Sequence, residues 1–154
     1  MANKKPTATK QIRNRRARHD YDLGDGLVVG ISLNGAETKS LRKGQGNLKG
    51  AYVSVHDGEL WLVNATITGD GSIRVAEEDK TRNRKLLAKR KEIEALMAAK
   101  LQGQTIVPLE LLTHGRYIKL RIAAGRGKKK YDKRETIKRR DQERSNEAEL
   151  KGKR

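Results

Sequence analysis

The run Tyr52-Val53-Ser54-Val55-His56-Asp57-Gly58-Glu59-Leu60-Trp61-Leu62-Val63 decides the fold. Alternating residues flank Asp57-Gly58, a strong signal for a type I′ turn, in which both central residues need positive φ. A two-residue turn there pairs Val55 with Leu60 and Val53 with Leu62 on one face. Ser54 with Trp61 and Tyr52 with Val63 fall on the other. Both faces carry apolar groups, as expected where a sheet curls and is covered on each side.

Downstream, His114-Gly115 predicts a second hairpin. It pairs Leu111 with Ile118, Leu109 with Leu120 and Val107 with Ile122, and sets Glu110 across from Lys119. Upstream, Leu27 to Leu33 reads as a strand ending at Asn34-Gly35, and Ala36 to Lys43 as a short helix stopped by Gly44. Between the hairpins the pattern predicts a longer helix from about Arg82 to Leu101, ended by Gly103. Leu86, Ile93, Met97 and Leu101, with Leu96 at the edge, form its core-facing stripe. Leu87 falls about 100° from Leu86 on such a helix; there peripheral packing is a simpler reading than an exposed apolar contact. The whole predicts a mainly β domain over residues 18–124, a small antiparallel barrel of the oligonucleotide-binding (OB) type with one short and one longer helix.

Charge is distributed unevenly around that domain. The 154 residues carry 36 Lys and Arg against 19 Asp and Glu, a net charge of +17. Residues 1–18 hold seven basic side chains and no acid, and residues 125–154 hold thirteen against six. The body between them is nearly balanced. Residues 1–17 therefore read as a disordered basic arm with one isolated apolar residue, Ile12. From Gly125 onward no β pattern remains. Lys133 to Leu150 has helix-formers and pairs such as Glu135–Arg139, yet only Ile137, Ala148 and Leu150 to bury. Such a tail is expected to be disordered alone and helical against a partner. Self-repulsion at +17 has a real cost, which a polyanionic partner offsets. Nucleic acid suits better than a membrane, because neither arm has an amphipathic stripe of bulky apolar residues.

Other classes fit poorly. There is no Cys, so disulfides and thiolate metal sites are excluded. Residues 1–18 lack the apolar stretch of a secretory leader. His19, His56 and His114 sit in an arm and two turns, without the clustered ligands that a zinc enzyme needs. Neither Gly44–Gly50 nor Gly125–Lys128 has the spacing of a nucleotide-binding loop. Only Tyr21, Tyr52, Trp61, Tyr117 and Tyr131 could stack bases, and Trp61 is expected to pack. Recognition should lean on phosphate contacts and RNA shape instead.

Four segments bear on family. They are Asn14-Arg15-Arg16-Ala17-Arg18-His19-Asp20-Tyr21; Gly35-Ala36-Glu37-Thr38-Lys39-Ser40-Leu41-Arg42-Lys43-Gly44; Arg84-Lys85-Leu86-Leu87; and Arg126-Gly127-Lys128-Lys129-Lys130-Tyr131-Asp132-Lys133-Arg134-Glu135. In this order and spacing the series resembles the SmpB family of tmRNA-binding proteins, over nearly the whole chain. The resemblance implies a cytoplasmic, monomeric, non-enzymatic adaptor of trans-translation without a cofactor. It implies an OB-type barrel holding the tRNA-like domain of tmRNA, delivery with elongation factor Tu to stalled ribosomes, and a tail that senses the empty mRNA channel. By position, Asn14, Arg18, His19, Tyr21, Glu37, Lys39, Ser40, Arg42, Lys85 and Leu87 would face tmRNA, which favours the exposed reading of Leu87. Gly127, Lys128, Lys129, Tyr131, Asp132, Lys133 and Arg134 would engage the decoding centre and mRNA path.

The chain departs from the family at two places. Val28 stands where many members have Glu, and Lys80, closing the acidic stretch Thr68–Lys80, stands where Pro is frequent. On composition alone, a structural ribosomal protein with rRNA-threading extensions would look the same.

Overall fold

Both hairpins belong to one closed sheet. The structure, a computed structural model, describes residues 11–129, 134 and 137–146. In chain order its elements are β1 (Ile12–Arg13), α1 (Ala17–Asp20), β2 (Tyr21–Leu23), β3 (Leu27–Ile31), α2 (Gly35–Arg42), β4 (Gly46–Asn47), β5 (Tyr52–His56) and β6 (Glu59–Val63). Then follow β7 (Thr66–Ile67), α3 (Glu77–Lys80), β8 (Arg84–Leu87), α4 (Arg90–Leu101), β9 (Thr105–Leu112) and β10 (Lys119–Gly127). The strand order β9-β5-β6-β8-β3-β10 closes because β10 pairs back onto β9, giving an antiparallel barrel. β1 flanks β9, β2 flanks β10, and β4 with β7 forms a separate ribbon.

Alternation explains the core. Val29, Ile31, Val53, Leu60, Leu62, Leu86, Ile106, Leu120 and Ile122 point inward and are buried, joined by Leu41 of α2 and Leu96 of α4. Each such side chain contributes about 1.5–3 kcal/mol over leaving it exposed. The first hairpin has the expected register, with Val55 opposite Leu60 and Ser54 opposite Trp61. Its turn has the expected backbone too, with φ of 51° at Asp57 and 73° at Gly58.

The second hairpin corrects the predicted pairing. Leu111 lies opposite Leu120, and Glu110 opposite Arg121 rather than Lys119. The connection through 113–118 is longer than a two-residue turn and moves the register by two, so the faces are preserved. Beyond Arg121 the ladder slips, with Ile122 opposite Pro108. Proline has no N–H for a ladder, and a bulge is where a sheet tolerates it. The carbonyls of Pro108 and Leu109 accept instead from the Asn14 side chain at 3.0 Å and the Asn14 backbone N–H at 2.7 Å.

The predicted helix from Arg82 to Leu101 is two elements. Arg84 to Leu87 is a strand, with Arg84 and Leu86 buried and Lys85 and Leu87 outside. These residues favour helix locally, but β8 fills the gap between β6 and β3, and tertiary pairing prevails over propensity. The helix proper starts at Arg90, with the Glu92 carboxylate accepting from the Lys89 N–H at 2.9 Å. Its buried stripe is narrower than expected: Leu96 is inside and Ile93 packs against the core, while Leu101 is 89% exposed.

The folded body reaches further into both expected arms than composition suggests. Ile12 is buried and pairs with Leu111, so the disordered arm read over 1–17 is folded from Ile12 onward. Residues 1–10 lie outside the described residues. At the other end β10 continues through Gly125, Arg126 and Gly127 along β2. Gly125 permits this, because a Cβ there would stand 2.3 Å from the Asp22 carbonyl oxygen. In the tail, residues 137–146 are helical and none is buried. The acidic loop is tied down at Asp70, whose carboxylate accepts from Ser72, Ile73, Gln45 and Lys43. Those bonds, chiefly from Ser72, hold it far below the usual aspartate range.

Candidate nucleic-acid interface

Four adjacent strands, β6, β8, β3 and β10, place their outward residues in a band. Trp61 is opposite Lys85, Leu87 opposite Gly30, Gly30 opposite Lys119, and Val28 opposite Arg121. The phase is fixed by the buried partners Leu60, Leu86, Val29, Ile31 and Leu120. Leu87 is 55% exposed and Val28 41%. With Lys85, Lys89 and Met97 they line an open groove of about 1000 Å3 between the sheet and α4. Gly30 flattens the middle of the band, where a Cβ would meet the Leu87 Cβ at 3.1 Å. Lys85 is held by Glu59 at 2.9 Å, and Arg121 is bonded to Glu110, whereas Lys119 has no carboxylate partner among the described residues. Cations spaced around exposed apolar carbon suit a nucleic-acid backbone with its sugar and base edges.

A second groove, of about 730 Å3, opens where β1, α1 and β2 meet the segment before β5. Asn14, Arg15, Arg16, Tyr21, Lys49 and Tyr52 line it. Asn14 is anchored to β9 as described, and Tyr21 starts β2. Arg18 is exposed on α1 and lines an adjoining groove with Arg13 and Arg121. His19 Nδ1 lies 2.9 Å from the Asp20 carboxylate, within hydrogen-bond reach. The start of the tail belongs here too. Gly127 pairs with Tyr21, the Lys128 N–H donates to the Asp20 carbonyl at 2.8 Å, and Lys128 Nζ donates to that of Arg18 at 3.0 Å. Members of two groups that the sequence reading kept apart, Arg18 and Tyr21 of one and Gly127 and Lys128 of the other, thus adjoin. Lys129 and Arg134 are exposed, and Tyr131, Asp132 and Lys133 lie outside the described residues.

The α2 motif divides in three. Lys39 is exposed. Glu37 and Ser40 are 0% exposed, which corrects the expectation that they face RNA. Glu37 closes a capping box: its N–H donates to Asn34 Oδ1 at 2.8 Å and its Oε1 accepts from the Asn34 N–H at 3.0 Å. Arg82 Nη2 meets Oε1 at 2.5 Å, and the fully buried Arg84 donates to Oε2. Burial raises the carboxyl's pKa, but bonds from Arg82, Asn34 and Arg84 outweigh it and hold Glu37 below its ordinary value. The rest of the Arg84 guanidinium donates to the carbonyls of Ala65 at 3.0 Å, Arg82 at 3.2 Å, Asp79 at 2.6 Å and Lys80 at 3.2 Å. This cluster ties α2 to α3 and β8. Arg42 is likewise engaged within the protein, donating to the carbonyls of Thr113, Gly115 and Arg116.

Of the sequence-predicted RNA residues, Asn14 and Tyr21 line the second groove, and Lys85 and Leu87 the first. The sequence reading missed Gly30, Lys119 and Arg121 as members of the band. Their signal was available in the alternation around Val29 and Ile31 and around Leu120 and Ile122.

Comparison with known proteins agrees with this architecture. The SsrA-binding protein of Ligilactobacillus salivarius (strain UCC118) is 44% identical over 145 residues, covering 94% of each chain. That of Paracoccus denitrificans (strain Pd 1222) is 46% identical over 154 residues, covering 98% of this chain and 99% of its own. A solved structure described as "tmRNA-SmpB: a journey to the center of the bacterial ribosome" superposes with a TM-score of 0.65 at 36% identity, over 83% of this chain and 94% of that one. The family model for SmpB protein matches residues 11–152, which takes in the barrel, both grooves and the helical stretch beyond them. The chain belongs to the SmpB family.

Proposed function

We propose that this chain binds the tRNA-like domain of tmRNA and delivers it, with GTP-bound elongation factor Tu, to stalled ribosomes for trans-translation. The observation that carries this is the outward band, where Leu87 stands exposed beside Gly30 among Lys85, Lys119 and Arg121 on a barrel of this family. The relatives' name, SsrA-binding protein, supports the choice of partner. Lys85 and Leu87 act on this band, while Asn14, Arg18, His19, Tyr21 and Lys39 are the further RNA-facing candidates. Glu37 shapes the surface from inside. Arg42 acts through the turn it holds.

The tail has the other role. Gly127, Lys128 and Lys129 lead from the second groove into Tyr131, Asp132, Lys133 and Arg134, which engage the decoding centre and mRNA channel. A basic helix over 137–146 with no buried side chain is suited to gain its packing from ribosomal RNA. The chain acts as a monomer, in the cytoplasm and without catalysis. Truncation after Lys129 tests this division. Affinity for the tRNA-like domain should stay within about threefold, whereas tagging on stalled ribosomes should be lost; equal loss of both would contradict it.

A further inference from the structure

One exposed aromatic is left unused by either surface. Tyr117, in the β9–β10 connection, is 69% exposed. The Arg116 guanidinium lies over its ring at 5.6 Å from the centroid. At that exposure the ring stays open to solvent beside the cation. Around it, Leu112, His114, Gly115, Arg116 and Lys119 complete a concavity of about 300 Å3.

This turn is not a loose loop tip. From α2, Arg42 donates to the Thr113 carbonyl at 3.2 Å, the Gly115 carbonyl at 3.1 Å and the Arg116 carbonyl at 3.0 Å. A planar guanidinium bonded at three points fixes the backbone that presents Arg116 and Tyr117. Such pre-organisation lowers the ordering cost of binding. Lys119, the first residue of β10, joins this concavity to the outward band.

We infer that the Arg42-braced turn is a clamp for one unpaired nucleotide of the bound RNA. Tyr117 stacks on the base, and Arg116 and Lys119 hold its phosphate. An aromatic face with adjacent cations fits a nucleotide, since any base has a π-face to stack while its phosphate needs positive charge. Duplex does not fit, because its bases are stacked on one another. Arg42 is a positioning residue: it touches the turn and not the RNA. The inference rests on the RNA-binding reading above and adds a site that reads single-strandedness on a surface otherwise suited to shape.

The test uses the full chain and the tRNA-like domain of tmRNA, with affinity measured alongside base-specific chemical footprinting of the unpaired nucleotides. The wild-type chain should protect one unpaired base that Tyr117→Leu leaves reactive, and Tyr117→Leu should bind at least about fivefold more weakly. Tyr117→Phe should behave as the wild type. Arg42→Lys keeps the charge but not the three-point brace, and should weaken binding in the wild-type background much more than in Tyr117→Leu. A merely structural role for Arg42 would give the same loss in both. Identical footprints and affinities for wild type and Tyr117→Leu would overturn the clamp while leaving RNA binding intact. Failure of the wild-type chain to bind the RNA would overturn the RNA-binding reading itself.

Discussion

Glu37 shows how much a single buried carboxylate can organise. Removing its charge leaves Arg82 and Arg84 facing each other, and Arg84 is wholly inside. Glu37→Gln should therefore cost about 3 kcal/mol in denaturant unfolding. Because its folded pKa lies below the unfolded value of 4.5, its contribution is fully present above that pH and is lost as pH falls through the folded value. The gap in stability between wild type and Glu37→Gln should accordingly narrow below about pH 4.5. Two neighbouring leucines offer a second contrast. Leu86→Ala should destabilise by about 2–5 kcal/mol. Leu87→Ala should cost less than about 1 kcal/mol of stability and yet weaken RNA binding. A Glu in the first turn of a helix looks the same in sequence whether it faces solvent or a buried arginine. Its partners lie 45 and 47 residues away, a separation no local pattern reports.

At the level of elements, hairpin chemistry carried most of the legible information. Asp57-Gly58 fixed its register because a two-residue turn leaves no freedom, whereas the longer 113–118 connection and the bulge at Pro108 did. β8 was unreadable as a strand because Arg, Lys and Leu favour helix and four residues seldom reveal a period. The end of β10 was hidden by glycines that read as breakers, although Gly125 is what lets β2 approach. Gly125→Ala should then destabilise by about 1–3 kcal/mol, with hydrogen-exchange protection lost first in β2 and β10. The helix over 137–146 buries nothing, and isolated helices of that length are marginal. Backbone NMR of the free chain should show shifts near random coil there; a stable helix would count against a tail that orders on its partner.

Over the whole molecule, basicity argued for a polyanion, and its concentration at the two ends pointed to RNA contacts beyond the barrel. What composition could not show is that the folded body also presents cations in a pattern, set by which residues share the outside of the barrel. We propose that this band, not bulk charge, holds the RNA. Its most direct test is the dependence on salt of the affinity for the tRNA-like domain of tmRNA, in wild type and Lys119→Gln. Log affinity should fall steeply and linearly with log salt, and Lys119→Gln should bind more weakly with a slope smaller by about one. An unchanged slope and affinity in Lys119→Gln would contradict a role for the band in holding the RNA.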